Sequence, residues 1–256
     1  DSLPSRGLGD VYKRQEGNID DQNKFEAGSF SDTTTMDGKA IFTLGSVATD
    51  DSFDPPTYTG KVSGYYTYQM NVNTSFNGDD NLYVRLKTGN HSGYSKTKSA
   101  YNTYLSAGTG KADKFMVDKM WYTMPVGDTN HTIFVGPMVE NYYMHGTTPS
   151  IYKPVLKSFT LGGNAAAYGA STSPGAGWKY VADNGFAISS NFTSKSGATK
   201  GMLTDETATS WATQVGYTQP RYSVSALVNM KYNDWEDGYF TSVAGKERSE
   251  GDKGST

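Results

Sequence analysis

The sequence predicts an all-β fold: an antiparallel up-and-down transmembrane β-barrel, of which about nine strands are present. Three observations carry that expectation. Segments of nine or more residues alternate apolar and polar side chains with a period of two, the side-chain repeat of a strand. The connections between them alternate between short and long, as they do in outer-membrane barrels. The composition favours strands and tight turns over helices, with 13% aromatic residues, 19 Tyr, 29 Gly and only 19% charged residues.

Taken in order, GKAIFTLGSV (residues 38–47) predicts a strand with Ala40, Phe42 and Leu44 on one face. GYYTYQMNVNTSF (64–76) sets Tyr66, Tyr68, Met70, Val72, Thr74 and Phe76 on one face. Tyr65, Thr67, Gln69, Asn71, Asn73 and Ser75 fall on the other. NGDD (77–80) is a hairpin signal. NLYVRLKTG (81–89) then places Leu82, Val84 and Leu86 opposite Tyr83, Arg85 and Lys87. YNTYLSAGTGKAD (101–113) reads as loop, and its Gly-Thr-Gly-Lys lacks the spacing and context of a phosphate loop.

DKFMVDKMWYTMPV (113–126) and HTIFVGPMVENY (131–142) predict a second hairpin around residues 127–130. The first of them is ambiguous: Phe115, Val117 and Trp121 compete with Met116, Met120, Tyr122 and Met124 for the apolar face. Residues 142–174 interrupt the series with a long Gly-, Ala-, Ser- and Pro-rich segment, and loops of that length are usually functional. GAGWKYVA (175–182) and NGFAISSNFTSK (184–195) join across Asp183, Asn184 and Gly185. The last pair carries Trp211, Val215 and Tyr217, then Tyr222, Val224, Ala226, Val228, Met230 and Tyr232, across a short link at 218–221.

Which face meets water is the question these patterns raise. The strands at 64–76 and 222–232 reach the nine to eleven residues that cross a bilayer when tilted. Tyr66 and Phe76 lie ten residues apart on one face, as do Tyr222 and Tyr232. Ten residues at about 3.3 Å, tilted by about 40°, rise roughly 25 Å, the height of the apolar band between aromatic girdles. These four aromatics are therefore the expected lipid-facing girdle. The opposite faces carry Gln, Asn, Ser, Arg and Lys. The alternative is a secreted, soluble β-sandwich carbohydrate-binding module whose core takes the apolar faces.

Other classes are excluded more simply. A net charge of −3 without a basic stripe gives no surface for nucleic acid. There is no cysteine, so no disulfide framework and no thiol chemistry. His91, His131 and His145 lack the spacing of a metal site, so no metal, no cofactor and no enzyme activity is expected. No apolar run reaches the length of a transmembrane helix.

Residues 1–15 have no periodicity, and Asp10-Val11-Tyr12-Lys13-Arg14-Gln15 resembles the translation of a transposase-based sequencing adapter. They read as an adapter-derived or disordered tail, followed by a lead-in at 16–32, an incomplete barrel at 33–240 and a loop or tail at 241–256.

Residues 25–45, FEAGSFSDTTTMDGKAIFTLG, resemble the segment that opens the barrel in cyanobacterial outer-membrane porins, the iron-uptake porin group related to the carbohydrate-selective porins. Phe30, Ser31, Thr33, Thr34, Gly38, Ala40 and Phe42 supply that family's Phe-Ser-x-Thr-Thr-like run, Gly-x-Ala and aromatic. VDKMWYTMPVGDTNHTIFVGP (117–137) resembles its Asp-Lys-x-x-Tyr hairpin ending in Val-Gly-Pro. PGAGWKYVADNGFAISSNF (174–192) resembles the strand pair after its constriction loop. The resemblance implies passive diffusion of small hydrophilic solutes (inorganic ions, iron species or sugars) through a water-filled barrel. It implies the outer membrane of a Gram-negative, cyanobacterial cell, lipid as the surrounding partner, no cofactor, and a homo-oligomer with a trimer as the expected form. It also implies a longer chain with more strands and a preceding peptidoglycan-binding domain. The sequence therefore reads as a fragment truncated at both ends, reaching peptidoglycan only through that missing domain.

The functional residues expected from the alternation are those lining water: Gln69, Asn71, Arg85, Lys87, Gln214, Asn229 and Lys231. The 142–174 segment is the constriction-loop candidate, with Tyr143, Tyr152, Lys153, Lys157 and Tyr168 in it and Lys179 just after it. Lysines and arginines there set the local potential, while aromatics offer surfaces along which sugars slide.

Overall fold

The chain folds as one antiparallel sheet whose strands follow each other in sequence order. A computed structural model describes residues 29–31, 33–48, 60–96, 103–127, 130–147, 155–160, 165–169, 171–233 and 235. The strands are β1 (Ser29–Ser31), β2 (Thr34–Gly45), β3 (Ser63–Thr74), β4 (Asn81–Gly89) and β5 (Met116–Pro125). They continue with β6 (His131–Glu140), β7 (Thr172–Val181), β8 (Phe186–Ser194), β9 (Thr209–Gln219) and β10 (Tyr222–Tyr232). Nine are long, as expected, and β1 is a three-residue edge on β2. The sheet is open, with β1 and β10 as its edges. A sandwich would need a second sheet; the described strands make one.

The connections keep a strict rhythm. Those at 75–80, 126–130, 182–185 and 220–221 lie at one end of the sheet and are six residues or fewer. Those at 46–62, 90–115, 141–171 and 195–208 lie at the other and are all longer.

Burial is inverted relative to a water-soluble core. Val224 and Val228 on β10 are each 66% exposed, and Phe42 and Leu44 on β2 are 82% exposed. Gln214 and Asn191 are 1% exposed, and Ser189 and Ser210 are fully covered. The ladders carry one apolar face across the sheet: Phe42 faces Tyr66, Met70 faces Leu86, Val135 faces Ala176, and Val215 faces both Ile188 and Ala226. All nine Asp, Glu, Lys and Arg residues of β2–β10 lie away from that face: Asp37, Lys39, Arg85, Lys87, Asp118, Lys119, Glu140, Lys179 and Lys231. Three polar groups on the apolar face bond one another there: Ser190 and Thr213 pair their hydroxyls at 2.9 Å, and the Trp211 indole donates to Ser190 at 2.9 Å.

Aromatic side chains gather at both ends of the apolar face. Phe76 packs on Tyr122 (6.2 Å) and Tyr217 on Tyr222 (6.3 Å) at the short-turn end. Tyr68 packs on Phe115 (5.7 Å) and Phe192 on Trp211 (5.6 Å) toward the other. Tyr66 and Tyr232 also lie at that end.

Four expectations are adjusted. The first long strand starts at Thr34 rather than Gly38. Gly38 sits inside the ladder opposite Met70, where a Cβ would lie 2.9 Å from the Gln69 carbonyl. β3 ends at Thr74, so Phe76 belongs to the turn. Asp80 pulls the chain out of the ladder by accepting the N–H groups of Phe76 (2.8 Å) and Asn77 (3.0 Å) and the Ser75 hydroxyl (2.7 Å). The long segment spans 141–171 rather than 142–174, and β7 begins at Thr172 and so takes in Pro174. The ambiguity of β5 has a cause: the β4–β5 register slips between Arg85 and Leu86, leaving Asp118 as a bulge residue. After the bulge Met120 and Tyr122 take the apolar face, while Trp121 turns inward onto Tyr83 (4.4 Å).

Burial alone would raise the Asp80 carboxyl, but the Tyr122 hydroxyl, the two backbone N–H groups and Ser75 outweigh it and hold its pKa well below the usual range. A depressed carboxylate adds stability above its unfolded pKa that is lost as pH falls through the folded one. Asp80→Asn should therefore lower the thermal midpoint at pH 7, and the gap to the unaltered protein should close in strong acid; an unchanged midpoint at pH 7 would contradict the role given to this turn.

Candidate functional site

The site is the polar face, and two halves of it differ. On β2–β6 it carries linked polar and charged side chains. Asn71 donates to Asp37 (2.6 Å) and accepts from Gln69 (3.1 Å) and the Tyr83 hydroxyl (2.8 Å). Beside it, Gln69 faces Lys87 and Asn71 faces Arg85 across the β3–β4 ladder. Arg85 is ion-paired and hydrogen-bonded to Asp118, and Lys119 is ion-paired to Glu140. The bulge makes this possible, because it lets the consecutive Asp118 and Lys119 both reach the polar side. The Lys119 ammonium also lies over the Tyr143 ring at 4.4 Å and the Tyr142 ring at 5.8 Å.

Lys157 reaches this cluster from a connection rather than a strand. Its N–H bonds the Tyr104 carbonyl at 2.8 Å, and Leu105 and Leu156 form an isolated bridge, so the 90–115 and 141–171 connections brace each other. The first of them also touches the sheet, where Thr67 on β3 donates to the Ala107 carbonyl at 2.6 Å. Lys157 comes within electrostatic range of Glu140, Arg85 and Asp118.

On β8–β10 the polar face is covered by the 141–171 connection. Thr147 N–H donates to Gln214 (3.1 Å), Gly146 N–H to Ser189 (3.3 Å), and Asn229 to the Ala167 carbonyl (3.2 Å). Asn141 ties the connection to itself through the Tyr168 and Gly169 carbonyls. Tyr142 and Tyr168 form a small apolar cluster with Ala167 of the one-turn helix Ala165–Tyr168 and Leu227 of β10. Two close approaches need glycine. A Cβ at Gly146 would lie 2.8 Å from that of Ala187, and one at Gly216 would run into the Thr147 side chain.

All seven residues expected to line water share the polar face, but not one environment. Arg85 and Lys87 belong to the charged cluster and Gln69 and Asn71 face them across the β3–β4 ladder; Gln214 and Asn229 hold down the connection; Lys231 lies opposite Ser210 on β9. Of the constriction-loop candidates, Tyr143, Lys157 and Tyr168 lie in the covering connection, Lys179 lies on β7, and Tyr152 and Lys153 lie outside the described residues. Sequence reasoning missed Asp118, Lys119 and Glu140. The adjacent charges Asp118 and Lys119 in an otherwise alternating strand were the available signal of a bulge. Among the described residues no three metal-ligating side chains cluster. The arrangement offers fixed charges and hydrogen-bonding groups on one surface. No protein-family model matches the chain, and no curated protein matches it.

Gly216→Ala tests the covering contact. Overpacking against Thr147 should destabilise the protein by about 1–3 kcal/mol in denaturant unfolding and should speed proteolysis within 141–171. Unchanged stability and cleavage would show that the connection does not sit on β9.

Proposed function

We propose that this sheet is part of the wall of an outer-membrane porin that lets small hydrophilic solutes diffuse passively through a water-filled barrel. The observation that carries the reading is the inverted burial: the large apolar side chains of this face are exposed or half-exposed from β2 to β10, while every strand charge lies on the other face. In water such a face is a large aggregation surface. Against lipid it is the expected exterior, with aromatic side chains at both rims and polar groups turned to a lumen. The rhythm of short and long connections supports the same reading. So does the covering connection, which occupies the lumenal side as a constriction loop. The open edges fit a larger barrel whose remaining wall these residues do not form. The resemblance to cyanobacterial porins adds a cell type, outer-membrane lipid, a trimer, and peptidoglycan contact through a further domain.

The cluster also gives the pore a sign. Arg85, Lys87, Lys119 and Lys157 bring four cations against the two carboxylates of Asp118 and Glu140, an excess of two positive charges. Fixed positive charge in a narrow polar passage favours anions over cations.

Reconstituted in planar bilayers, the protein should give stepwise, ohmic currents. In a potassium chloride gradient the reversal potential should report anion preference. Lys157→Glu removes the excess charge and should shift that potential toward zero or cation preference. A protein that is monodisperse without detergent and passes no current would overturn the porin reading.

A further inference from the structure

The covering connection is held beside a buried histidine whose chemistry the reading above does not use. His145 is 6% exposed, and its Nδ1 lies 3.1 Å from the Ser189 hydroxyl on β8. Its Nε2 is also buried and has no hydrogen-bond partner. The same Ser189 oxygen accepts the N–H of Gly146, and the next N–H, of Thr147, goes to Gln214 on β9. His145 therefore sits where the connection grips the sheet.

A neutral imidazole tolerates this place, because one nitrogen meets Ser189 and only one polar atom is left unmet. An imidazolium does not. Both nitrogens then donate, Nε2–H has no acceptor, and a full charge is buried without a counter-charge. The titratable or charged groups on the elements packed against it are Tyr168, whose ring lies 5.9 Å away, and Lys179, which faces Ser189 across the β7–β8 ladder. One is neutral and the other cationic, so neither compensates. Gln214 on β9, reached through Thr147, carries no charge.

We propose that residues 141–147 form an acid-released strap: protonation of His145 lifts them from Ser189 and Gln214 and uncovers the polar face of β8 and β9. Burial lowers the His145 pKa from 6.5 to about 4. The latched state thus binds fewer protons than the released one. The latch is at full strength above pH 6.5, weakens as pH falls from there toward about 4, and changes no further below that. For one proton the ratio of released to latched molecules rises about tenfold per pH unit inside that window. That the strap narrows a pore rests on the porin reading; its release by acid does not.

Hydrogen exchange of the Gly146 and Thr147 amides in detergent-solubilised protein reads the latch without any current. Rates are divided by the intrinsic rate at each pH and compared with the β8–β9 ladder amides. Protection of the two amides should be constant from pH 8 to 7 and fall by about tenfold per pH unit below about 6, while the ladder amides stay protected. His145→Gln should make protection independent of pH. Ser189→Ala should lower it at every pH. The proposal is overturned if protection in the unaltered protein is flat from pH 8 to 4.5. It is equally overturned if the ladder amides open together with the strap, or if His145→Gln keeps the acid response. A protein that shows acid release but passes no current would leave the strap standing and remove only the pore.

Discussion

A charged side chain is stable where water or an opposite charge reaches it, and on a strand its position fixes the side of every second neighbour. That constraint governs this sheet. With nine charges from Asp37 to Lys231 held off one face, the remaining positions on that face fill with Met, Val, Ile, Leu and aromatics. A one-residue slip of β4 or β10 would carry Arg85 or Lys231 onto the apolar side, so on the strands that bear charges these help the turns to fix the register. Where two consecutive charges occur, at Asp118 and Lys119, the strand bulges rather than send one of them across.

The same constraint shapes the connections. A polar strand face with serine, asparagine and glutamine leaves many hydrogen-bonding groups to satisfy. On β8–β10 three of them are met by backbone: Gln214 and Ser189 accept from the 141–147 segment, and Asn229 donates to Ala167. On β4–β6 they are satisfied by ion pairs, Arg85 with Asp118 and Lys119 with Glu140, with Lys157 brought alongside by a neighbouring connection. The described parts of the 90–115 and 141–171 connections are thus fastened to the polar side. Their closeness to the sheet at Gly146 and Gly216 leaves no space for larger residues.

Much of the sheet was legible in the sequence, because strands and hairpins are local. β4 and β10 run over Asn81–Gly89 and Tyr222–Tyr232 as their alternation predicts, and Asn-Gly at 77–78 and 184–185 marks turns where Gly78 and Gly185 take positive φ. Boundaries failed where a residue acts at a distance. Asp80 draws Phe76 out of β3, and Gly38 lies inside β2 because a neighbouring backbone comes close, although glycine reads as punctuation. The charged cluster was half legible: Arg85, Lys87 and Lys157 stood out, but their acidic partners lie on other strands and depend on a bulge. The strap was legible as a long interruption; its grip on Ser189 and Gln214 needed contacts over 43 and 67 residues of chain.

The central claim is that the apolar face meets lipid and the polar face does not. The chain has no cysteine, so single cysteines from 223 to 231 along β10 can each carry a spin label in reconstituted vesicles. Collision with lipid-soluble oxygen should be high at 224, 226, 228 and 230 and low at 225, 227, 229 and 231, and a water-soluble paramagnetic reagent should show no access to the first set. Free access of the water-soluble reagent to Val224→Cys and Val228→Cys, or equal oxygen collision at all nine positions, would contradict it.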